Sequence, residues 1–155
     1  MNFLMKNNKL TSASKSIVLI ALFIASTLSS QAQNETTGNT ITVTVENIRN
    51  TNGKILASLH DETTFMKGKE GVQTAATTIV GNTVIVTYKN ILPGAYAIMC
   101  VHDENDNKKM DFELNGMPKE NYGMSNNPIL YGPPTFDLAK LIVKENEDLN
   151  ITIRI

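Results

Sequence analysis

The 155-residue chain holds one cysteine, Cys100, and two histidines, His60 and His102. A single cysteine excludes an internal disulfide, so the fold must be held by packing, with or without a metal. The lack of a His/Cys cluster removes the usual ligand sets for zinc. Sulfur and imidazole do meet at Cys100 and His102, two apart on one strand face, with Met99 adjacent and His60 ending another strand. Copper would suit such ligands. Cys100 nevertheless reads more simply as a small core hydrophobe, and Met99 should point to the opposite face. Charge of one sign is missing as well. With 14 Lys and Arg against 15 Asp and Glu the net charge is -1. No basic cluster offers a footprint for a phosphate backbone, which argues against nucleic acid as a partner.

No apolar run reaches the about 20 residues of a bilayer span. The longest, Ile17 to Ala25, follows Lys6, Lys9 and Lys15 and leads to the small-residue exit Ser30-Gln31-Ala32. That order predicts a signal peptide over residues 1–32, cleaved after Ala32. The mature protein is expected to be exported, to the periplasm or beyond the cell, and not to span a membrane.

Residues 33–40 are polar and without period, and are expected to form a disordered lead. Residues 41–155 suit one domain. Strict alternation of Ile41, Val43 and Val45 with polar residues predicts a half-buried strand. Asn52-Gly53 signals a turn into a second strand at Ile55, Ala57 and Leu59. Residues 61–71 read as a loop or one helical turn. Residues 72–80 and 83–89 are expected to pair as a hairpin across Gly81-Asn82. Leu92-Pro93-Gly94-Ala95 has type II turn chemistry, with positive φ expected at Gly94. Residues 95–101 are apolar on both alternating faces, so that strand should be central and covered on both sides.

Residues 103–134 carry no sustained period, yet their aromatic and apolar members predict an ordered flap. Thr135 is an expected N-cap for one helical turn with Leu138 facing inward. Strands at 141–144 and 149–155 complete the pattern. The fold class expected is an all-β antiparallel sandwich of about seven strands, immunoglobulin-like or transthyretin-like, with one long ordered loop. Its core should hold Ile41, Val43, Val45, Ile55, Leu59, Val84, Val86, Ile98, Ile151 and Ile153.

The stretch His102 to Asp111 places oxygen-bearing side chains at alternate positions. Asp103, Asn105, Asn107 and Asp111 match the first, third, fifth and ninth ligands of a calcium loop, and Lys109 could offer its carbonyl from the seventh. Hard oxygen ligands favour Ca2+ over softer metals. Lys108 stands where the loop normally has its turn glycine, and Leu114 where it has a bidentate acid, with Glu113 one place early.

Leu92-Pro93-Gly94-Ala95-Tyr96-Ala97, His102-Asp103-Glu104-Asn105 and the run Gly116 to Asn127 resemble successive motifs of a bacterial secreted family, domain of unknown function 2141. The resemblance covers roughly residues 41–155. Members commonly read H-D-x-N-x-N-G-x-x-D at the loop, and this chain keeps that pattern except for Lys108. The resemblance implies an exported β-sandwich module and names no activity.

For catalysis, Gly123-Met124-Ser125 lacks the second glycine of a nucleophile elbow. His102 and Asp103, adjacent on a strand, face opposite ways and make a poor dyad. Tyr122, Ser125, Asn126 and Asn127 read first as turn and cap residues. Stacking and amide bonds to a glycan or peptide are their second use. The expectation is therefore a non-catalytic binding or accessory module with a calcium-stabilised loop and an unidentified ligand of glycan or protein kind. The alternative is a small secreted hydrolase using His102 and the loop carboxylates.

Overall fold

The computed structural model describes residues 38–155. The predicted signal peptide and nearly all of the predicted lead lie outside the described residues. β1, Asn39–Glu46, begins inside the stretch expected to be the lead. Asn39 is buried there, and its amide donates to Lys144 O at 2.8 Å while accepting from Glu147 N at 2.9 Å.

Alternation then decides the layers. Ile41, Val43 and Val45 are fully buried, and Thr42, Thr44 and Glu46 are half-exposed. β1 lies at the centre of a three-stranded sheet. It pairs antiparallel with β4, Val84–Ile91, and parallel with β8, Leu149–Arg154. The second sheet runs in the order β3, β2, β5, β6, with β3 at Gln73–Thr78, β2 at Lys54–His60, β5 at Gly94–Asp103 and β6 at Tyr122–Met124. β7, Leu141–Val143, shares the β6 edge of β5, pairing Gly94 to Tyr96 while β6 pairs Met99 to Val101. One parallel ladder thus enters a sandwich that is otherwise antiparallel.

The two inner faces meet in one core built of Ile41, Val43, Val45, Ile55, Leu59, Val84, Val86, Ile98 and Ile153, with Ile151 half-buried against them. Each fully buried aliphatic side chain here contributes about 1.5 to 3 kcal/mol. β5 is covered on its other face too. Ala97 and Met99 pack there with Phe65, Met124, Ala139 and Phe136. This second cluster anchors the flap at β6 and at the short helix α1, Phe136–Ala139, which bury apolar side chains on the back of the sheet, whereas Phe112, Leu114, Met117, Ile129 and Tyr131 of the flap are exposed.

Four local expectations are corrected. Residues 73–78 pair with β2 and not with residues 84–91, so Gly81, at φ 95, turns a crossover between sheets and not a hairpin. Gly94 does not take positive φ. It opens β5, and the left-handed residue of this corner is Asn90, at φ 58, beside an irregularity in the β1 ladder. Thr135 occupies the N-cap position but makes no side-chain cap bond. Leu138 faces outward at 45% exposure, and Ala139 is the buried residue of α1. Among the described residues no helix is long and apolar enough to cross a membrane.

Candidate functional site

β5 delivers His102 and Asp103, both fully buried, at its exit. The turn before β2 closes on them. Gly53 sits at φ 59 with its α-carbon so close to β5 that a Cβ would lie 1.8 Å from the Asp103 carbonyl oxygen, which makes glycine obligatory. In the same turn the Asn52 carbonyl accepts from His102 Nε2 at 2.9 Å, and Asn50 Nδ2 donates to Glu104 Oε2 at 3.2 Å. Among the described residues His102 Nδ1 has no hydrogen-bond partner, and it faces Glu104 Oε1 at 3.9 Å.

The loop then wraps around the Asp103 carboxylate. Oδ1 accepts the N–H of Asn107 at 3.0 Å and Oδ2 the N–H of Lys108 at 2.7 Å. Lys108 adopts φ 66, the left-handed turn for which glycine would be the easy choice. Asn105 Oδ1 accepts from Asn107 N at 3.1 Å and Asn107 Oδ1 from Lys109 N at 3.0 Å. Both amide nitrogens, from Asn105 and Asn107, converge on Asp111 Oδ2 at 2.7 Å. The sequence pattern therefore brings Asp103, Asn105, Asn107 and Asp111 together, with Lys109 held beside them through its N–H.

The residue that sequence reasoning missed is Glu120. It is 8% exposed, and its carboxylate joins the two ends of the loop, Oε1 accepting from Glu104 N at 3.2 Å and Oε2 from Asp111 N at 3.1 Å. Leu114, at the position of the expected terminal acid, is fully exposed. Glu113 is exposed and pairs with Lys119 at 4.0 Å. A minor hairpin explains the displacement. Phe112 bridges Pro118 and Lys119 N donates to Asp111 O at 2.9 Å, so the chain doubles back and returns an acid to the loop nine residues after Asp111. A burial signal was legible only in the tertiary fold, since Glu120 sits among Pro118, Lys119 and Asn121 without period.

As a cation site the loop has specific resources. An ionised carboxylate has about four lone-pair positions and an amide oxygen two. Asp103 uses two, Asn105 and Asn107 one each, and Asp111 Oδ1 accepts nothing from the described residues. Among the described residues no three His, Cys, Asp or Glu side chains form a metal-holding group, so any cation here must use Asn and carbonyl oxygens as well.

The other candidates sort into structural roles. Cys100 points into the core, and burial pushes its thiol up to about 12, which keeps it protonated. His60, across β2, lies on the opposite face of the sheet from Cys100 and His102 because it pairs with Ala97. Ser125 is fully buried. Its hydroxyl accepts the Ile98 N–H at 3.0 Å and donates to the Ala139 carbonyl. Asn126 donates to Leu138 O and Lys140 O, tying the flap to α1. Asn127 donates to Thr152 O and accepts Arg154 N, both at 2.8 Å, mimicking one rung of a ladder on the free edge of β8. Beside it an open cleft of about 470 Å³ runs along β6, with Tyr122, Met124 and Leu130 on its walls and Arg154 at one side.

No curated protein and no solved structure matches the chain. One family model does, described as an uncharacterized protein conserved in bacteria (DUF2141), over residues 43–152, from within β1 to within β8. The chain belongs to the DUF2141 family of bacterial proteins.

Proposed function

We propose that this protein is an exported, non-catalytic binding or accessory module whose Asp103–Asp111 loop is stabilised by calcium. The observation that carries the calcium reading is the closure of the loop around Asp103. Its carboxylate accepts the N–H groups of Asn107 and Lys108, and the Asn105 and Asn107 side chains face Asp111 across the same ring. Each amide oxygen keeps one lone pair free beside the N–H it accepts, and a hard cation among Asp103, Asn105, Asn107 and Asp111 would take the place of the two amide N–H groups at Asp111, with the Lys109 carbonyl and Glu120 at its margin. Export is supported by the sequence of residues 1–32.

The non-catalytic part rests on His102. A general base needs a free nitrogen at a nucleophile and an opening to substrate. His102 is closed to solvent, with Nε2 bonded to Asn52 O and Nδ1 buried against Glu104. Ser125 is equally closed, both of its hydroxyl bonds going to the backbone. A ligand of glycan or peptide kind would find its apolar contact on Tyr122 and Leu130 in the cleft beside β6.

The test is thermal unfolding of the exported protein in chelator and then in calcium. Calcium at ten times its dissociation constant should add about 1.4 kcal/mol to the unfolding free energy. Asp111→Ala should abolish the increment while leaving the chelated melting temperature close to that of the wild type. An unchanged wild-type melt, or an equal shift in the variant, would remove calcium from this loop.

A further inference from the structure

Among the described residues, three of the four sheet edges are protected against pairing with another chain. The β8 edge is occupied by the Asn127 amide. The β4 edge carries Lys89 and the left-handed Asn90. The β6 and β7 edge is broken into two strands of three residues each. β3 has none of these devices. Its residues Gln73-Thr74-Ala75-Ala76-Thr77-Thr78 include no charge and no proline, and its ladder to β2 runs without a register shift. Such an edge is a template for an added strand.

The direction of its free backbone groups follows from alternation. His102 gives its N–H to Asn121 on the β6 side, so odd-numbered residues of β5 face β2. Carried through the ladders, this turns Ile55, Ala57 and Leu59 of β2 toward β3, and since Leu59 O accepts Val72 N at 2.7 Å the alternation of β3 starts at Gln73, after Val72. The N–H and C=O groups of Thr74, Ala76 and Thr78 are therefore left facing outward.

The exposed side chains of the same segment read Val72, Thr74, Ala76, Thr78, Val80, a palindrome centred on Ala76. Val72 is 48% and Val80 85% exposed. The geometry points to a second copy of this chain as the partner of β3, joined antiparallel about a two-fold axis through Ala76. In that register Thr74 meets Thr78 and Ala76 meets Ala76, so like side chains oppose like, with Val72 and Val80 flanking the strand at its two ends. The outward backbone groups of Thr74, Ala76 and Thr78 pair with those of Thr78, Ala76 and Thr74. The parity is the only one that works, because pairing an even residue with an odd one would set a free N–H against a group already bonded to β2. Two-fold symmetry requires a self-complementary surface, and a palindromic strand supplies one.

The experiment combines sedimentation with amide hydrogen exchange on the exported protein over a concentration series. Dimer should appear with rising concentration, and protection should rise with it at the Thr74, Ala76 and Thr78 amides alone, since the Gln73, Ala75 and Thr77 amides are bonded to β2 throughout. Ala76→Lys places two ammonium groups face to face on the axis and should weaken dimerisation at least about tenfold, with an unchanged circular dichroism melt of the monomer. A wild type that stays monomeric at millimolar concentration overturns the assignment. So does a dimer that leaves those three amides unprotected, or one that Ala76→Lys forms equally well.

Discussion

Lys108 donates its backbone N–H to Asp103 Oδ2 at 2.7 Å from a left-handed conformation, φ 66. The bond and that conformation occur together in the turn, and a residue with a Cβ is strained there by about 1 to 2 kcal/mol. Lys108→Gly should therefore stabilise the protein by about 0.5 to 1 kcal/mol, the relief of strain exceeding the added freedom of the unfolded chain. Lys108→Ala retains the Cβ and is the control. Urea unfolding of the two variants checks it, and equal midpoints would show that strain is not the cause.

Ser125 joins three elements through one hydroxyl, accepting from Ile98 of β5 and donating to Ala139 at the end of α1. Ser125→Ala leaves the buried Ile98 N–H and the Ala139 carbonyl without partners and should cost about 1 to 3 kcal/mol. Equilibrium unfolding monitored by circular dichroism measures this, and a neutral substitution would contradict the anchoring role.

His60 stacks edge-on to Phe65, with ring centroids 5.9 Å apart, and its Nδ1 lies 3.2 Å from Thr64 Oγ1. Burial lowers its pKa below the ordinary 6.5, with the Asp61 charge opposing. The folded state therefore binds this proton less readily than the unfolded chain. Stability contributed by His60 is complete above 6.5 and declines as pH falls through 6.5 toward the lowered value. His60→Gln should flatten this part of the profile of unfolding free energy against pH. A profile identical to that of the wild type would assign the decline to other groups.

Much of the architecture was legible because sheet burial has a local signature. A strand with one face in a core must alternate, and β1 and β8 alternate almost without exception. Residues 95–101 were apolar on both faces, and the second cluster behind β5 is the reason. The ring of loop side chains was legible for the same reason, since an Asx-rich ring closes within nine residues and its bonds run between near neighbours. The turn glycine was not needed where expected, because the two backbone bonds to Asp103 hold Lys108 in the strained conformation.

The pairing of strands was not legible. Gly81-Asn82 has the chemistry of a tight hairpin, yet the chain there leaves one sheet for the other, because Ile55 to Leu59 offer residues 73–78 a ladder that the turn itself cannot specify. Glu120 illustrates the same limit. A carboxylate is buried only where backbone N–H groups wait to receive it, and those of Glu104 and Asp111 are brought to it by the folding back of residues 112–119.

What the sequence determined by itself is which residues alternate, which side chains ring the loop and where turns can form, for these depend on neighbours within a few positions. The tertiary structure alone decided which strands pair, that β8 lies parallel to β1, and that His102 and Ser125 are closed off from solvent, because contacts between residues far apart in the chain follow from the packing of two whole sheets.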